Sequence, residues 1–401
     1  MHELVTNKRN GVRKDCACLH NLWFDWSSGC PSKFNMKVSS LLGVGFFALA
    51  TTASGQTAPK GNITGAHLKV ILDTDFNTIG DDGQAFAMAA QLHAAGELDL
   101  VGITVVTGNQ YLDQGVSDAL KAVERMGISH EVGVYPGAPA PFLHTYQAYQ
   151  LERATFGNAT RYVGAYQSPP GPQPLAAPPD GFATSTAPRA QHAADFIAEA
   201  VRSHPHGVSL LALGPLTNIA LAIARDPGVA ALVRDITIMG GQSYAPGNAY
   251  RGAGETNWWL DAESARAVLR APGFAGRRRV VGLDATDTVA ISNGTYDRVA
   301  GHEPPTAVTA LFGDVERWPY VYDTVALASL YDDSLDLDVR PLFVDVNCDF
   351  SAEYGKGIVW EEDPHPGLGV VGVSSVVFGI DNARFFDLYV DLLTRPISGT
   401  A

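Results

Sequence analysis

The segment 70–89 constrains the fold of this chain more than any other part of the sequence. An apolar run ends directly in a polar loop, and an alanine-rich stretch follows, so we predict a strand, a loop and a helix. Four carboxylates fall within ten positions of one another, at Asp73, Asp75, Asp81 and Asp82. Carboxylates held this close together repel one another, so the cluster predicts a site for a hard cation at the end of the strand.

Helix capping is the alternative explanation for these carboxylates. Asp is a common N-cap residue, so Asp81 or Asp82 could begin the following helix and complement its dipole. Capping does not account for the two carboxylates that follow the strand directly. No Lys or Arg occurs between positions 69 and 121 to pair with them. We therefore prefer the cation site, at the strand ends where open α/β sheets bind their ligands.

Composition and charge narrow the class of partner. The 401 residues are 46% hydrophobic and 17% charged, which is typical of a globular protein. The formal net charge of −14 argues against nucleic acid and anionic membranes, because both require a basic face. We expect neither as a partner.

The N-terminal region has the arrangement of a targeting signal. Met36-Lys37 precedes an apolar run at 41–50 and small residues at 53–55, a pattern typical of a signal peptide. We predict a signal peptide at 36–55, interpret 1–35 as an extension or a non-native segment, and expect a secreted protein. Three triplets fit the N-glycosylation pattern and begin at Asn62, Asn158 and Asn293.

Strand and helix patterns alternate along the rest of the chain. Predicted strands at 98–107, 131–135, 208–213, 235–239, 280–283 and 342–346 are separated by helical patterns. This alternation predicts a Rossmann-like, open, mostly parallel sheet flanked by helices. We expect one α/β domain over 66–401. Periodicity fails at 136–188, which is rich in aromatic residues and Pro, so we interpret that segment as an inserted lid with short helices.

Polar or Gly-rich motifs follow the predicted strands, and together they resemble the inosine-uridine preferring nucleoside hydrolases. The matching motifs are Asp73-Thr74-Asp75 with Asp81-Asp82, Thr107-Gly108-Asn109, Gly214-Pro215-Leu216-Thr217-Asn218, Met239-Gly240-Gly241, Asn248, Glu255-Thr256-Asn257 and Asp323. The resemblance extends from about residue 68 to the C-terminus. It implies that the chain hydrolyses the N-glycosidic bond of ribonucleosides to free base and ribose, as a homodimer or homotetramer.

The resemblance also implies a role for individual residues. It assigns Ca²⁺ to Asp75, Asp82, Asp323 and the backbone carbonyl of Thr217, and it makes Asp75 the general base for the attacking water. Asp81 and Asn109 are expected near the ribose. The remaining ribose hydroxyls are expected on Asn248, Glu255 and Asn257. Asp73 is expected to support the loop from behind. Calcium fits this set better than zinc because every ligand is an oxygen atom.

Two features depart from the family pattern. Tyr322 occupies the position where the best-known members carry a His that helps the base to leave, and a phenol with a pKa of about 10 is a weaker acid than imidazolium. Trp258 or Trp259 could instead stack on the base. The insertion offers His144, Tyr146 and Tyr149, which we expect to pack within the lid.

Two other functions fit parts of the sequence. Asp73-Thr74-Asp75 after a strand also resembles the nucleophile motif of haloacid dehalogenase-type Mg²⁺ phosphatases, with Asp332-Asp333 as the later acidic pair. Those enzymes, however, have Thr at the position of Asn77, and Asp332 follows a helical pattern. A secreted nucleoside- or ribose-binding protein without turnover is the second alternative, and Tyr322 is the feature that favours it.

Overall fold

The strand that carries the acidic motif lies near the middle of a large sheet. The structure is a computed structural model that describes residues 68–397, except positions 79, 158–161, 173, 314–316, 318, 365 and 371. The described residues belong to one unit, Ala58–Ala401. The predicted extension, the signal peptide and the triplets at Asn62 and Asn158 lie outside the described residues, whereas Asn293 is exposed at the start of a helix.

Nine strands occur in the part of the chain that the structure describes. They are β1 (Leu68–Thr74), β2 (Leu98–Val105), β3 (Gly133–Pro136), β4 (Val208–Ala212), β5 (Ile236–Met239), β6 (Arg278–Val281), β7 (Asp336–Val346), β8 (Gly357–Trp360) and β9 (Ser374–Ile380). The same residues form twelve α-helices. They are α1 (Asp81–Ala94), α2 (Leu112–Arg125), α3 (Tyr146–Phe156), α4 (Ala193–Ser203), α5 (Thr217–Arg225), α6 (Val229–Leu232), α7 (Thr256–Leu260), α8 (Ala262–Leu269), α9 (Leu283–Thr286), α10 (Asn293–Ala300), α11 (Tyr322–Tyr331) and α12 (Asn382–Thr394).

The sheet is open and mostly parallel, which confirms the predicted fold class. Its strand order is β3-β2-β1-β4-β5-β6-β9-β7-β8. Every pair from β3 to β9 is parallel, whereas β7 runs antiparallel to both β9 and β8. Because the core strands are covered on both faces, β1 is a continuous apolar run rather than an alternating one. Leu72 packs into the hydrophobic core on one face and Ile71 into the core on the other.

The C-terminal part of the sheet differs from the prediction in its boundaries and strand number. The strand expected at 342–346 is the second half of β7, and β8 and β9 were not predicted. The first half of β7 is largely exposed and carries charged residues, so it lacks the apolar run on which the prediction depended. Among the described helices, none combines the length and apolarity that a membrane crossing requires.

The insertion at 136–188 is fixed to the body of the protein along α2. Its first half contains α3, and a short 3₁₀ turn follows at Gly164–Gln167. In its second half, Arg125 donates two hydrogen bonds to Asp180, at 2.8 and 2.7 Å. Glu124 accepts hydrogen bonds from the backbone N–H groups of Thr184 and Ser185 at 2.8 and 2.7 Å. These contacts hold the Pro-rich segment against one helix.

Candidate active site

Asp73 is the second-last residue of β1 and supports the sheet edge through hydrogen bonds to neighbouring elements. Its Oδ2 accepts hydrogen bonds from Thr104 Oγ1 on β2 at 2.5 Å and from Asn218 Nδ2 on α5 at 2.9 Å. Burial raises the pKa of this carboxyl to about 7, against the effect of both hydrogen bonds. Asp73 therefore joins three neighbouring elements, as expected of a supporting residue.

Four carboxylates meet in front of that edge, and we call Asp75, Asp81, Asp82 and Asp323 the acidic cluster. Carboxylate oxygens of Asp81, Asp82 and Asp323 all lie within 4.8 Å of one another. Asp75 lies beside Asp82, whose charge adds to the effect of burial in raising the pKa of Asp75. Asp81 is partly exposed and the other three are buried. The structure thus brings together residues that are up to 248 positions apart, because Asp75 follows β1, Asp81 and Asp82 begin α1, and Asp323 lies in the first turn of α11.

Asn109 ties the cluster to the loop after β2. Its backbone N–H donates to Asp75 Oδ2 at 2.6 Å, and its side-chain Nδ2 donates to Asp82 Oδ2 at 2.7 Å. The preceding residue has to be Gly108, since a Cβ there would lie 2.1 Å from Asp75 Oδ2. This close approach explains the Gly-Asn pair at the end of β2.

The cluster is short of positive charge. No ion pair among the described residues includes any of its four members. Burial is the main cause that raises the pKa of every member, and for Asp75, Asp82 and Asp323 the charge of a neighbouring Asp adds to it. For Asp82 the pKa rises to about 7. One oxygen, Asp75 Oδ1, is buried without a hydrogen-bond partner.

This donor set fits a bound metal ion. Clustered carboxylates with raised pKa values and an unpartnered oxygen gain most from a cation, which favours their charged form. All of the candidate donors are oxygen atoms, the ligands of hard cations. The acidic cluster could therefore hold a metal ion.

Thr217, expected to supply a backbone carbonyl to the metal, begins α5 and is buried. Its hydroxyl donates to Asp261 Oδ2 at 2.6 Å, and the same oxygen accepts from the backbone N–H of Phe142 in the insertion at 3.1 Å. Asp261 also caps α8 through the Ser264 N–H. Sequence reasoning did not assign Asp261, although it fixes both a predicted metal-binding loop and one end of the insertion.

Glu255 and Asn257, two of the residues expected around the ribose, contact the ends of β4 and β5. Glu255 caps α7 and accepts from the N–H groups of Asn257 and Trp258, at 2.8 and 3.1 Å, and from Gly241 at 2.9 Å. Burial raises the pKa of Glu255 to about 7. Asn257 Nδ2 donates to the carbonyl groups of Leu213 and Met239. Glu255 and Asn257 therefore hold two strand ends and the Gly240-Gly241 turn together.

Asn248 and Tyr322 form a second pair beside the cluster. Asn248 Oδ1 accepts from both the backbone N–H and the hydroxyl of Thr256, each at 2.9 Å. The Tyr322 hydroxyl hydrogen-bonds the Asn248 side chain, and burial raises the Tyr322 pKa above its ordinary value. The Tyr322 ring stacks on Tyr320, with centroids 5.6 Å apart. Tyr322 therefore remains a protonated phenol at neutral pH.

The two adjacent tryptophans lie in the core. Trp258 packs against the Gly240-Gly241 turn, where a Cβ at either glycine would lie within 2.6 Å of its indole. Trp259 donates its indole N–H to Glu152 in the insertion at 3.3 Å. Both side chains are 1% exposed, so the structure does not bring either ring to an open face, and stacking on a base stays a prediction.

The aromatic residues of the insertion pack around Trp259. His144 is buried, and its Nε2 lies 3.3 Å from Glu152 Oε2. Tyr146 and Tyr149 contact Tyr166 edge-on and stacked, respectively. The interpretation of these three residues as packing within the lid agrees with these contacts.

Tyr162 is a second site residue that sequence reasoning missed. Its hydroxyl donates to Asn109 Oδ1 at 2.7 Å. Burial, followed by the charges of Asp75, Asp82, Asp81 and Asp323, raises the pKa of Tyr162 above its ordinary value. No periodic pattern marks this position in the sequence. Only the docking of the insertion places its phenol beside the acidic cluster.

The fold and the site together are those of an α/β protein with a cluster of carboxylates, at the carboxyl edge of its sheet, that could hold a metal ion. The profile of the inosine-uridine preferring nucleoside hydrolase family matches residues 70–387. The chain belongs to this family. It is thus an N-ribosyl hydrolase, and family membership supports hydrolysis of ribonucleosides to base and ribose.

Individual relatives agree with this assignment. The chain is 33% identical over 234 residues to uridine nucleosidase 1 of Arabidopsis thaliana. The aligned region covers 58% of this chain and 62% of that protein. It is 28% identical over 318 residues to the pyrimidine-specific ribonucleoside hydrolase RihB of Escherichia coli. That aligned region covers 76% of this chain and 89% of the relative.

Solved structures share the fold. A plant nucleoside hydrolase, PpNRh1, superposes with a TM-score of 0.65 at 22% identity, over 82% of this chain and 99% of that structure. The purine-preferring ribonucleoside hydrolase of Gardnerella vaginalis gives a TM-score of 0.63 at 21% identity, over 81% and 98% of the two chains.

The phosphatase interpretation is wrong, and Asp332 follows the end of α11 rather than the end of a strand.

Proposed function

We propose that this protein hydrolyses ribonucleosides with a Ca²⁺ ion held by Asp75, Asp82, Asp323 and the Thr217 carbonyl, and with Asp75 as the general base. The proposal is supported chiefly by Asp75, whose two oxygens differ. Oδ2 is fixed by the Asn109 N–H, whereas Oδ1 is buried without a partner. One oxygen is thus positioned and the other is available to accept a proton.

Calcium would neutralise the carboxylates and help to orient the attacking water. Its charge would lower the pKa values that burial has raised, so that Asp75 is ionised at neutral pH and able to act as a base. Six to eight oxygen ligands are usual for Ca²⁺, which the cluster, a carbonyl and substrate hydroxyls together can provide.

The residues around the ribose would stabilise charge on the sugar. Breaking an N-ribosidic bond develops positive oxocarbenium character, and the carboxylates of Asp81 and Glu255 would supply negative charge to stabilise it. Asn109, Asn248 and Asn257 would contact ribose hydroxyl groups. Tyr322 would donate a hydrogen bond to the departing base, as a weaker acid than the His of other members.

Secretion and self-association form the second part of the proposal. The signal-like arrangement at 36–55 supports export, and the family supports a homodimer or homotetramer. Size-exclusion chromatography with light scattering would measure the oligomeric state, and N-terminal sequencing of secreted protein would locate the cleavage site.

The decisive test measures ribose release by the purified protein. Inosine, adenosine, guanosine, uridine and cytidine are incubated with the protein in Ca²⁺ or in a chelator. The variants are Asp75→Asn and, as a matched control, Asp345→Asn. Asp345 is also a buried Asp, but it lies on β7 and pairs with Arg270. We expect chelator-sensitive release that falls about 10²–10⁴-fold in Asp75→Asn and persists in Asp345→Asn.

Two results would contradict the proposal. Ribose release that is unchanged in the chelator would exclude the bound cation. Nucleoside binding by calorimetry with no ribose release from any substrate would favour the binding-protein alternative, and Tyr322→His would then be the variant to examine for recovered turnover.

A further inference from the structure

Within the described part of the insertion, the Tyr162 hydroxyl is linked to the acidic cluster through Asn109. It donates to Asn109 Oδ1 at 2.7 Å, and Tyr162 is only partly exposed. Asn109 is the residue whose backbone N–H and side-chain Nδ2 hold Asp75 and Asp82. The phenol therefore reaches the predicted base and a predicted metal ligand through one intermediate residue.

The backbone around Tyr162 is docked on the same loop. The Ala165 N–H donates to the Gly108 carbonyl at 2.8 Å. Gly164 adopts a φ of +53°, and a Cβ there would lie 2.3 Å from that carbonyl oxygen. A glycine is required for this approach because L side chains disfavour positive φ. Val163, Ala165 and Tyr166 are buried beside it. The position of the Tyr162 ring thus follows from a packed backbone contact.

The hydroxyl fixes which end of the Asn109 amide faces the cluster. With a donor at Oδ1, the amide nitrogen is directed at Asp82 Oδ2. The reversed amide would place Oδ1 against a carboxylate oxygen, which is repulsive, and would leave the Tyr162 hydroxyl beside an N–H donor. Every polar atom of the Asn109 side chain is therefore satisfied in one orientation.

We propose that Tyr162 is a positioning residue of this hydrolase, which orients the Asn109 amide so that Asp82 and Asp75 are held ready for the cation and the water. This inference rests on the proposed function. Removing the hydroxyl leaves Asn109 Oδ1 to solvent and lets the amide reorient. A neutral hydrogen bond of this kind corresponds to about a two- to twelve-fold effect.

The test is a double-mutant cycle on Tyr162→Phe and Asn109→Ala, with Tyr111→Phe as the matched control. Tyr111 also joins the insertion to the body, because its hydroxyl donates to the Ser168 carbonyl at 2.6 Å, but it makes no described hydrogen bond to the cluster or to Asn109. Two quantities are measured for each variant. They are the Ca²⁺ dissociation constant by calorimetry, and kcat and KM at saturating Ca²⁺.

We expect Tyr162→Phe to weaken Ca²⁺ binding and to lower kcat, each about two- to twelve-fold, with KM within twofold of the wild type. In the Asn109→Ala background the same substitution should have no further effect, because coupled residues are not additive. Tyr111→Phe should leave Ca²⁺ affinity and kcat unchanged. A merely structural role would alter the unfolding temperature but neither of these two quantities.

Two outcomes would overturn the inference. Wild-type Ca²⁺ affinity and kcat in Tyr162→Phe would show that the hydroxyl has no positioning role, and a full effect in the Asn109→Ala background would show that it acts without Asn109. If the wild type releases no ribose, the proposed function fails, whereas the calorimetric cycle still tests Tyr162.

Discussion

Replacing Asp82 by Asn should stabilise the metal-free protein, although it removes a predicted metal ligand. Burial, reinforced by the charge of Asp81, raises the pKa of Asp82 from 3.8 to about 7. Because one pKa unit corresponds to about 1.4 kcal/mol, ionised Asp82 costs the folded state roughly 4 kcal/mol at pH 8. Asn is uncharged and avoids that cost. It keeps the hydrogen bond from Thr74 but loses the one from Asn109, a loss of about 1–3 kcal/mol.

The net expectation is a gain of about 1–3 kcal/mol in the free energy of unfolding at pH 8. Urea unfolding in a chelator measures it. Asp345→Asn is the control, and it should lose stability because its carboxylate accepts from Arg270 at 2.6 and 3.2 Å. Calcium should then stabilise the wild type and have little effect on Asp82→Asn. The reasoning is refuted if Asp82→Asn is less stable than the wild type in chelator at pH 8.

Acid supplies a second signature of the same effect. A carboxyl whose pKa is raised on folding contributes its full stability below the unfolded pKa of 3.8 and loses it as the pH rises through about 7. As the pH falls from 7 to 4, Asp82 should therefore add about 1.4 kcal/mol per pH unit to the wild-type stability in chelator, measured relative to Asp82→Asn. The advantage of Asp82→Asn should vanish within that range.

Two further predictions concern metal affinity and Tyr322. Ca²⁺ must displace protons from carboxyls such as Asp82, which has a pKa of about 7. The apparent Ca²⁺ affinity should therefore fall about tenfold per pH unit below 7 for each proton displaced. Calorimetry in buffers of different ionisation enthalpy should detect the released protons. Tyr322→Phe should lower kcat/KM about two- to twelve-fold, because it removes the hydroxyl that is hydrogen-bonded to Asn248. The control variant Tyr320→Phe should keep the wild-type kcat/KM. Equal losses in both variants would assign the effect to the stacked rings.

The acidic motif was predictable because its chemistry is local in sequence. Asp75 follows a buried apolar strand, and Asp81-Asp82 begin the next helix. This local arrangement brings their carboxylates to one sheet edge without any contribution from distant residues. The parallel order of β1, β2 and β4 follows from the alternation of strand and helix patterns in the same way. Asp323 was found by resemblance alone, since its distance in sequence conceals the contact.

What the sequence did not reveal depends on tertiary docking. Tyr162 lies in a segment without periodicity, and its role exists only because Gly164 allows the backbone to approach Gly108. The orientation of Trp258 was equally hidden, since two adjacent tryptophans cannot both point the same way. Burial of Trp258 against Gly240-Gly241 gives that glycine pair a packing role as well as a position at a strand end.

The acidic cluster cannot be kept ionised by the surrounding helix termini alone. The N-termini of α1 and α11 converge on it, and the Asp323 N–H donates to Asp81 Oδ2 at 3.2 Å. A helix terminus stabilises a nearby anion by about 0.3–1 kcal/mol, and by about 2 kcal/mol at most. Two such termini cannot offset the cost of three buried carboxylates and one partly exposed one, when Asp82 alone costs roughly 4 kcal/mol. With no described Lys, Arg or His paired with the cluster, the alternatives at neutral pH are protons or a divalent cation. Only the cation leaves Asp75 able to accept a proton from water.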